Sequence, residues 1–174
     1  MKKIILISII ILLLLSLTGC IDIFSTSNKV SLAVAGDMAV NKQFILTVKL
    51  NPCEELGGWE IIEMSFSPDK AQVDSVTMGT SWMTEYHDTG DIDNVEGTIT
   101  GVQSMKTEGY TDEETTLCKI TFTAINSGTF DFEITEFMAT NSQFEEMEVI
   151  PETSFGVTKK YVRFSDEISG PVSG

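Results

Sequence analysis

The chain has 174 residues, 42% of them hydrophobic and 21% charged, with a formal net charge of −15. That length holds one domain plus an appendage. An exterior this acidic offers no basic patch to displace counterions, which speaks against nucleic acid as a partner, and it repels anionic headgroups, so the domain should stand off a membrane surface.

The appendage is N-terminal. Lys2 and Lys3 precede an apolar run over residues 4–17, broken only by Ser8 and Ser16 and followed by Leu17-Thr18-Gly19-Cys20. This is the layout of a secretory signal, with an apolar run too short for an ordinary spanning helix. Leu-Thr-Gly-Cys resembles the lipobox of secreted lipoproteins, which implies a signal peptide over 1–19 and a lipid on Cys20. Residues 20–29 would then be a short tether, with the remaining chain outside the cell and held to its membrane by that lipid. The alternative is an uncleaved N-terminal membrane segment reaching residue 24, which also places the rest outside.

From Val30 onward, alternation with a period of two dominates and no amphipathic helix stands out. Val30, Leu32 and Val34 alternate, and so do Phe44, Leu46, Val48 and Leu50 before Asn51-Pro52. In residues 57–66, Ile62, Met64 and Phe66 alternate with Glu63 and Ser65, while Trp59 and Ile61 fall on the other parity. Either that end is apolar on both faces, or a bulge between Trp59 and Ile62 resets the phase. Ser67-Pro68-Asp69 stops the strand. Ala71, Val73 and Val76 begin a short return strand, a pattern that suggests two sheets being joined.

Residues 82–86 read as a short strand and 88–91 as a loop. Residues 97–105 and 117–124 follow as strands. Asn126-Ser127-Gly128 reads as a hairpin turn into Phe130, Phe132 and Ile134, a weaker strand ends at Val149-Ile150-Pro151, and residues 157–164 read as the last strand. About nine strands over residues 30–164, with turns every dozen residues, predict an all-β antiparallel sandwich followed by a loose tail over 165–174.

The order of these pieces carries a resemblance. Residues 58–79, a Gly, an alternating strand, a Pro, spaced aliphatics and a closing Gly, look like the cohesin pattern. Leu117-x-x-Ile120-x-Phe122-x-Ala124-x-x-x-Gly128, continued by Phe130, Phe132 and Ile134, resembles the later cohesin strand pair. The likeness spans residues 30–163. It departs at Ser67, where cohesins usually have Asp, and at Glu114-Thr115-Thr116, where they often have Gly. The resemblance implies a nine-stranded jelly roll shared with a class of carbohydrate-binding modules. It also implies a non-catalytic function, in which one flat sheet face binds dockerin, a small calcium-loaded module on another protein. Any calcium would then belong to the partner, and this chain would need no cofactor.

With Ile62, Met64 and Phe66 inward, Ile61, Glu63 and Ser65 point outward; on the later strand Lys119, Thr121 and Thr123 do. In cohesins these strands are neighbours, so the resemblance puts all six on one protein-binding face. A polysaccharide-binding alternative would use Trp59, Trp82 and Tyr86 as exposed stacking rings. A third reading is a structural envelope protein.

Catalysis finds little support, because His87 is the only histidine and no Ser–His or Cys–His pair can be built without it. Asp88, Asp91 and Asp93, crowded with Asn94 and Glu96, are candidate calcium ligands. Their spacing does not match an EF-hand, and a solvated acidic loop is the plainer reading. Cys53 and Cys118 are left after Cys20 and could pair in an exported protein, although Cys118 also has the parity of the core residues Ile120 and Phe122.

Overall fold

The computed structural model describes residues 28–52, 54–151 and 158–164. The expected signal over 1–19, Cys20, most of the expected tether, Cys53 and residues 165–174 lie outside the described residues. The rest is all-β, with ten strands: β1 (Asn28–Gly36), β2 (Gln43–Asn51), β3 (Leu56–Phe66), β4 (Ala71–Met78), β5 (His87–Asp93), β6 (Thr98–Met105), β7 (Thr115–Ala124), β8 (Gly128–Asn141), β9 (Val149–Pro151) and β10 (Thr158–Phe164). They form two layers of a jelly-roll sandwich, ordered β4-β7-β2-β1-β9 and β10-β8-β3-β6-β5. All neighbours are antiparallel except β1 and β9, which run parallel. Only β1–β2 and β5–β6 are consecutive in sequence and adjacent in a sheet; every other connection crosses between layers.

Two sequence expectations change here. Asn126-Ser127-Gly128 is not a hairpin turn, because β7 and β8 lie in opposite sheets. Asn126 Nδ2 instead donates to the Asp69 carbonyl at 2.6 Å, joining this crossing to the Pro68 corner, which crosses as expected. The segment at residues 82–86 is not a strand. Thr80–Trp82 is a 3₁₀ turn, and the additional strand is β5, read from sequence as a loop. β5 is an edge strand whose side chains are nearly all exposed, so it needs no apolar alternation.

The core fills the space between the layers. Phe44, Leu46, Val48 and Leu50 on β2 are fully buried, facing Phe130 and Phe132 from β8. Phe44 and Phe122 stack at 5.2 Å with an interplanar angle of 7°. Phe66 and Phe130 meet Phe122 edge-on at 5.5 and 5.2 Å, the offset geometry that ring quadrupoles favour. The two layers are thus locked by rings from β2 and β7 against rings from β3 and β8.

The phase slip in β3 is a local break in the ladder that its neighbours β5, β6 and β8 share. Inward positions go from Ile61 to Met64 on β3, from Ile99 to Val102 on β6 and from Ile134 to Phe137 on β8. Pairing passes from Ile61↔Val102 to Glu63↔Thr100, and from Thr89↔Val102 to Asp91↔Thr100, skipping Ile62, Gly101 and Gly90. Gly90 and Gly101 have φ of +74° and +71°, which an L side chain rarely adopts. A Cβ on Gly90 would also lie 2.4 Å from the Thr100 carbonyl oxygen. Four adjacent strands therefore each spend one extra residue at the same level, creasing the sheet. The crease reverses the expected orientation at its upstream end: Ile61 is 0% exposed and Ile62 sits half-buried in the crease.

The turn from β5 to β6 is tied to the other layer. Asn94 Oδ1 accepts the Val73 N–H at 2.7 Å and Asn94 Nδ2 donates to the Val73 carbonyl at 3.0 Å, imitating one residue of a ladder. Asn94→Ala should cost about 1–3 kcal/mol, because it strips two partners from a part-buried backbone; urea unfolding of the variant measures it. Beside it, Asp93 Oδ1 accepts the Glu96 and Val95 N–H groups at 2.9 and 2.8 Å, and these bonds hold its carboxyl below the usual value of 3.8. A lowered folded value means that the cap's pH-dependent contribution is complete above the unfolded value and disappears as pH falls through the folded one. Asp93→Asn should therefore flatten the Tm-against-pH curve below about pH 4 and change little at neutral pH.

Candidate protein-binding face

The outer face of the β10-β8-β3-β6-β5 sheet carries side chains in rows set by strand register. Above the crease, Asp88, Gln103, Glu60 and Met138 lie side by side; below it come Asp91, Thr100, Glu63 and Glu136. Among the described residues neither row contains a lysine or arginine. At the upper end a groove of about 440 Å³ opens against the Asp88–Met138 row. Gly58 lies in it: a Cβ there would meet Thr140 Oγ1 at 2.9 Å and Met105 Cβ at 3.7 Å. Tyr86, Met105, Met138 and Phe144, four of the exposed large apolar side chains, line this one place.

Polar neighbours position the groove's walls. Hydrogen bonding to the neighbouring Glu85 carboxylate, together with its negative charge, raises the Tyr86 pKa. Phe144 follows β8 in a turn held by Asn141, whose Oδ1 accepts the Gln143 and Glu145 N–H groups at 2.9 and 3.0 Å. Its φ is +63°, a left-handed conformation that Gly or Asn takes at less cost than Phe. Next to the groove, Lys106 is buried with Nζ 4.2 Å above the Trp82 ring and donating to the Gly109 carbonyl at 3.1 Å. Burial lowers its pKa.

The structure separates the six residues expected on one face. Glu63 and Ser65 lie on this outer face, but Ile61 is in the core. Lys119, Thr121 and Thr123 are on the opposite exterior, because β7 pairs with β2 and β4 while β3 pairs with β6 and β8. There Thr123 Oγ1 donates to Asp74 Oδ2 at 2.7 Å, an oxygen shared with Gln43 Nε2 at 2.9 Å.

The expected sugar platform is also broken up. Trp59 and Trp82 are 3% and 0% exposed and pack edge-to-face at 6.1 Å inside the sandwich, with Trp82 Nε1 donating to Thr115 Oγ1. Of the three rings only Tyr86 is exposed.

Asp88, Asp91 and Asp93 sit on a strand rather than a loop; Asp88 Oδ1 accepts the Gly90 N–H at 2.9 Å, and Asp93 caps the turn. Among the described residues, no three of His, Cys, Asp and Glu are grouped to hold a metal ion. His87 is exposed, its Nδ1 paired with the Thr84 carbonyl. Cys118 is a free, buried thiol whose pKa burial pushes up to about 12, so it is protonated at neutral pH and is not a nucleophile.

Sequence reading missed Phe144, Met105, Met138 and Glu60. The signal for Phe144 was available: it is the one large apolar residue in Asn141-Ser142-Gln143-Phe144-Glu145-Glu146.

No family model matches the chain, and no curated protein matches it. Solved structures do. The cohesin module of a family 33 glycoside hydrolase from Clostridium perfringens superposes with a TM-score of 0.64 at 11% identity, covering 82% of this chain and 99% of that one. A type II cohesin–X-dockerin complex from Acetivibrio cellulolyticus gives 0.62 at 14% identity, covering 80% and 100%. A non-cellulosomal cohesin from the archaeon Archaeoglobus fulgidus gives 0.60 at 11% identity, covering 79% and 91%. The fold is that of a cohesin module.

Proposed function

We propose that this chain is a non-catalytic recognition module that binds a dockerin-type protein through the outer face of the β10-β8-β3-β6-β5 sheet, held outside the cell by a lipid on Cys20. One observation carries the reading: a cohesin fold presents four exposed apolar side chains in a single groove beside rows of carboxylates. Large exposed apolar clusters with a polar surround are what protein interfaces look like before they are covered. A cohesin-fold neighbour was solved as a cohesin–X-dockerin complex, which supports the class of partner. The lipid rests on Leu17-Thr18-Gly19-Cys20.

The test is capture by the immobilised chain of purified type I and type II dockerin modules, with calcium and with EDTA. Calcium-dependent capture of at least one module is expected; no capture across the panel rejects the reading. Independently, Cys20→Ser should abolish incorporation of labelled lipid, and unchanged labelling rejects the anchor.

A further inference from the structure

The groove has a specific occupant written into it, and naming that occupant rests on the reading that this face docks a protein. Phe144 carries two costs at once. The residue is 52% exposed, and its backbone sits at a positive φ where Gly or Asn would be relaxed. Neither cost contributes to the core. Together with Tyr86, Met105 and Met138 the ring encloses space that Gly58 keeps open, so the groove is built for apolar bulk.

What surrounds the groove sets the charge of what enters. Glu60 and Asp88 lie in the adjoining row, and Glu63, Asp91 and Glu136 lie in the row below. At ~3.4 Å per residue the rows stand about 7 Å and about 17 Å from Gly58 along β3. Glu63 and Glu136 sit opposite each other on neighbouring strands and repel, while Glu60 and Asp88 flank Gln103; cations from a partner would relieve the repulsion and neutralise both rows. A second copy of this chain is a poor occupant, since it brings the same −15. A pyranose would need flat rings exposed side by side, and two of the four exposed apolar side chains here are methionines.

We infer that the groove receives one bulky apolar side chain of the partner against Phe144, while lysine or arginine side chains of the same partner segment settle on the Glu60/Asp88 row and the Glu63/Asp91/Glu136 row. The apolar anchor supplies affinity, and the cations set orientation and speed of encounter.

The experiment uses the full chain with carbon-13 methionine methyl groups, the Met105 and Met138 signals being assigned through Met105→Leu and Met138→Leu. One arm titrates a calcium-loaded dockerin module captured as above. A second titrates a synthetic peptide with a central tryptophan flanked by lysines, against the same peptide flanked by glutamates. A third titrates cellohexaose.

Both the dockerin module and the lysine peptide should move the Met105 and Met138 signals, and the glutamate peptide should bind at least about tenfold more weakly. Phe144→Gly should weaken binding about tenfold or more while leaving Tm unchanged or raised, an outcome that a merely structural role would not produce. Glu60→Lys with Asp88→Lys should weaken binding at least about tenfold and remove most of its salt dependence.

A dockerin module that binds without moving either methionine, or binds Phe144→Gly as tightly as the native chain, overturns the groove while leaving the dockerin reading in place. If no dockerin module binds, that reading falls and the peptides decide: no methionine shift overturns the groove, and a lysine-selective shift upholds it for another protein partner. Shifts produced by cellohexaose instead of the lysine peptide overturn it as well.

Discussion

Phe122→Ala should lower the stability of the chain by about 3–5 kcal/mol, the largest loss we expect from any single truncation. The ring stacks on Phe44 at 5.2 Å and takes the edges of Phe66 and Phe130 at 5.5 and 5.2 Å, so its removal leaves three rings facing a hole. It also lies on β7 between β4 and β2, paired with Val73 and Phe44, and strands on both sides limit collapse into the space. Against a total stability of about 5–15 kcal/mol for a domain, that loss should be plain in urea unfolding of the full chain. A change below about 1 kcal/mol would mean that the two layers are not held by this cluster.

The second large effect is a contrast between neighbours. Ile61→Ala should cost about 2–5 kcal/mol, because Ile61 is fully buried beside Val102 and Phe137 in the ladder. Ile62→Ala, one residue on but out of the ladder, should cost about 1 kcal/mol or less. The order is the reverse of what simple alternation through Met64 and Phe66 would give. Thermal unfolding of the two variants side by side decides it: equal losses, or a larger loss at Ile62, would refute the crease.

How much was legible in the sequence follows from what local patterns encode. Alternation reports which side chains face a core, and on β2 it placed Phe44, Leu46, Val48 and Leu50 correctly. It does not report which layer a strand joins. Asn126-Ser127-Gly128 has turn chemistry that serves a crossing as well as a hairpin, and the pairing of the β3 and β7 segments rested on the resemblance alone; β7 lies in the other layer, which puts Lys119, Thr121 and Thr123 on the exterior opposite Glu63.

β5 was invisible for another reason. Its contribution is backbone pairing to β6 at a sheet edge, and an edge strand with both faces wet carries no apolar period. Asp88 and Asp91 on such an edge also discourage pairing with other chains. Trp82 lies in a 3₁₀ turn folded under the sheet, a placement that no two-residue period announces. Of the residues expected on the binding face, Glu63 and Ser65 lie on the exterior that carries the groove. The groove itself was not legible, since Gly58, Met105, Met138 and Phe144 come from distant stretches and meet only in three dimensions.

The extra residue shared by β3, β5, β6 and β8 has a bearing on ancestry. An insertion in one ribbon alone would put the inward side chains of its neighbours out of phase with its own, so the four extra residues work as a set. Kindred chains should therefore differ in length here by matched gains or losses across all four ribbons, and a lone deletion in any one of them should be selected against.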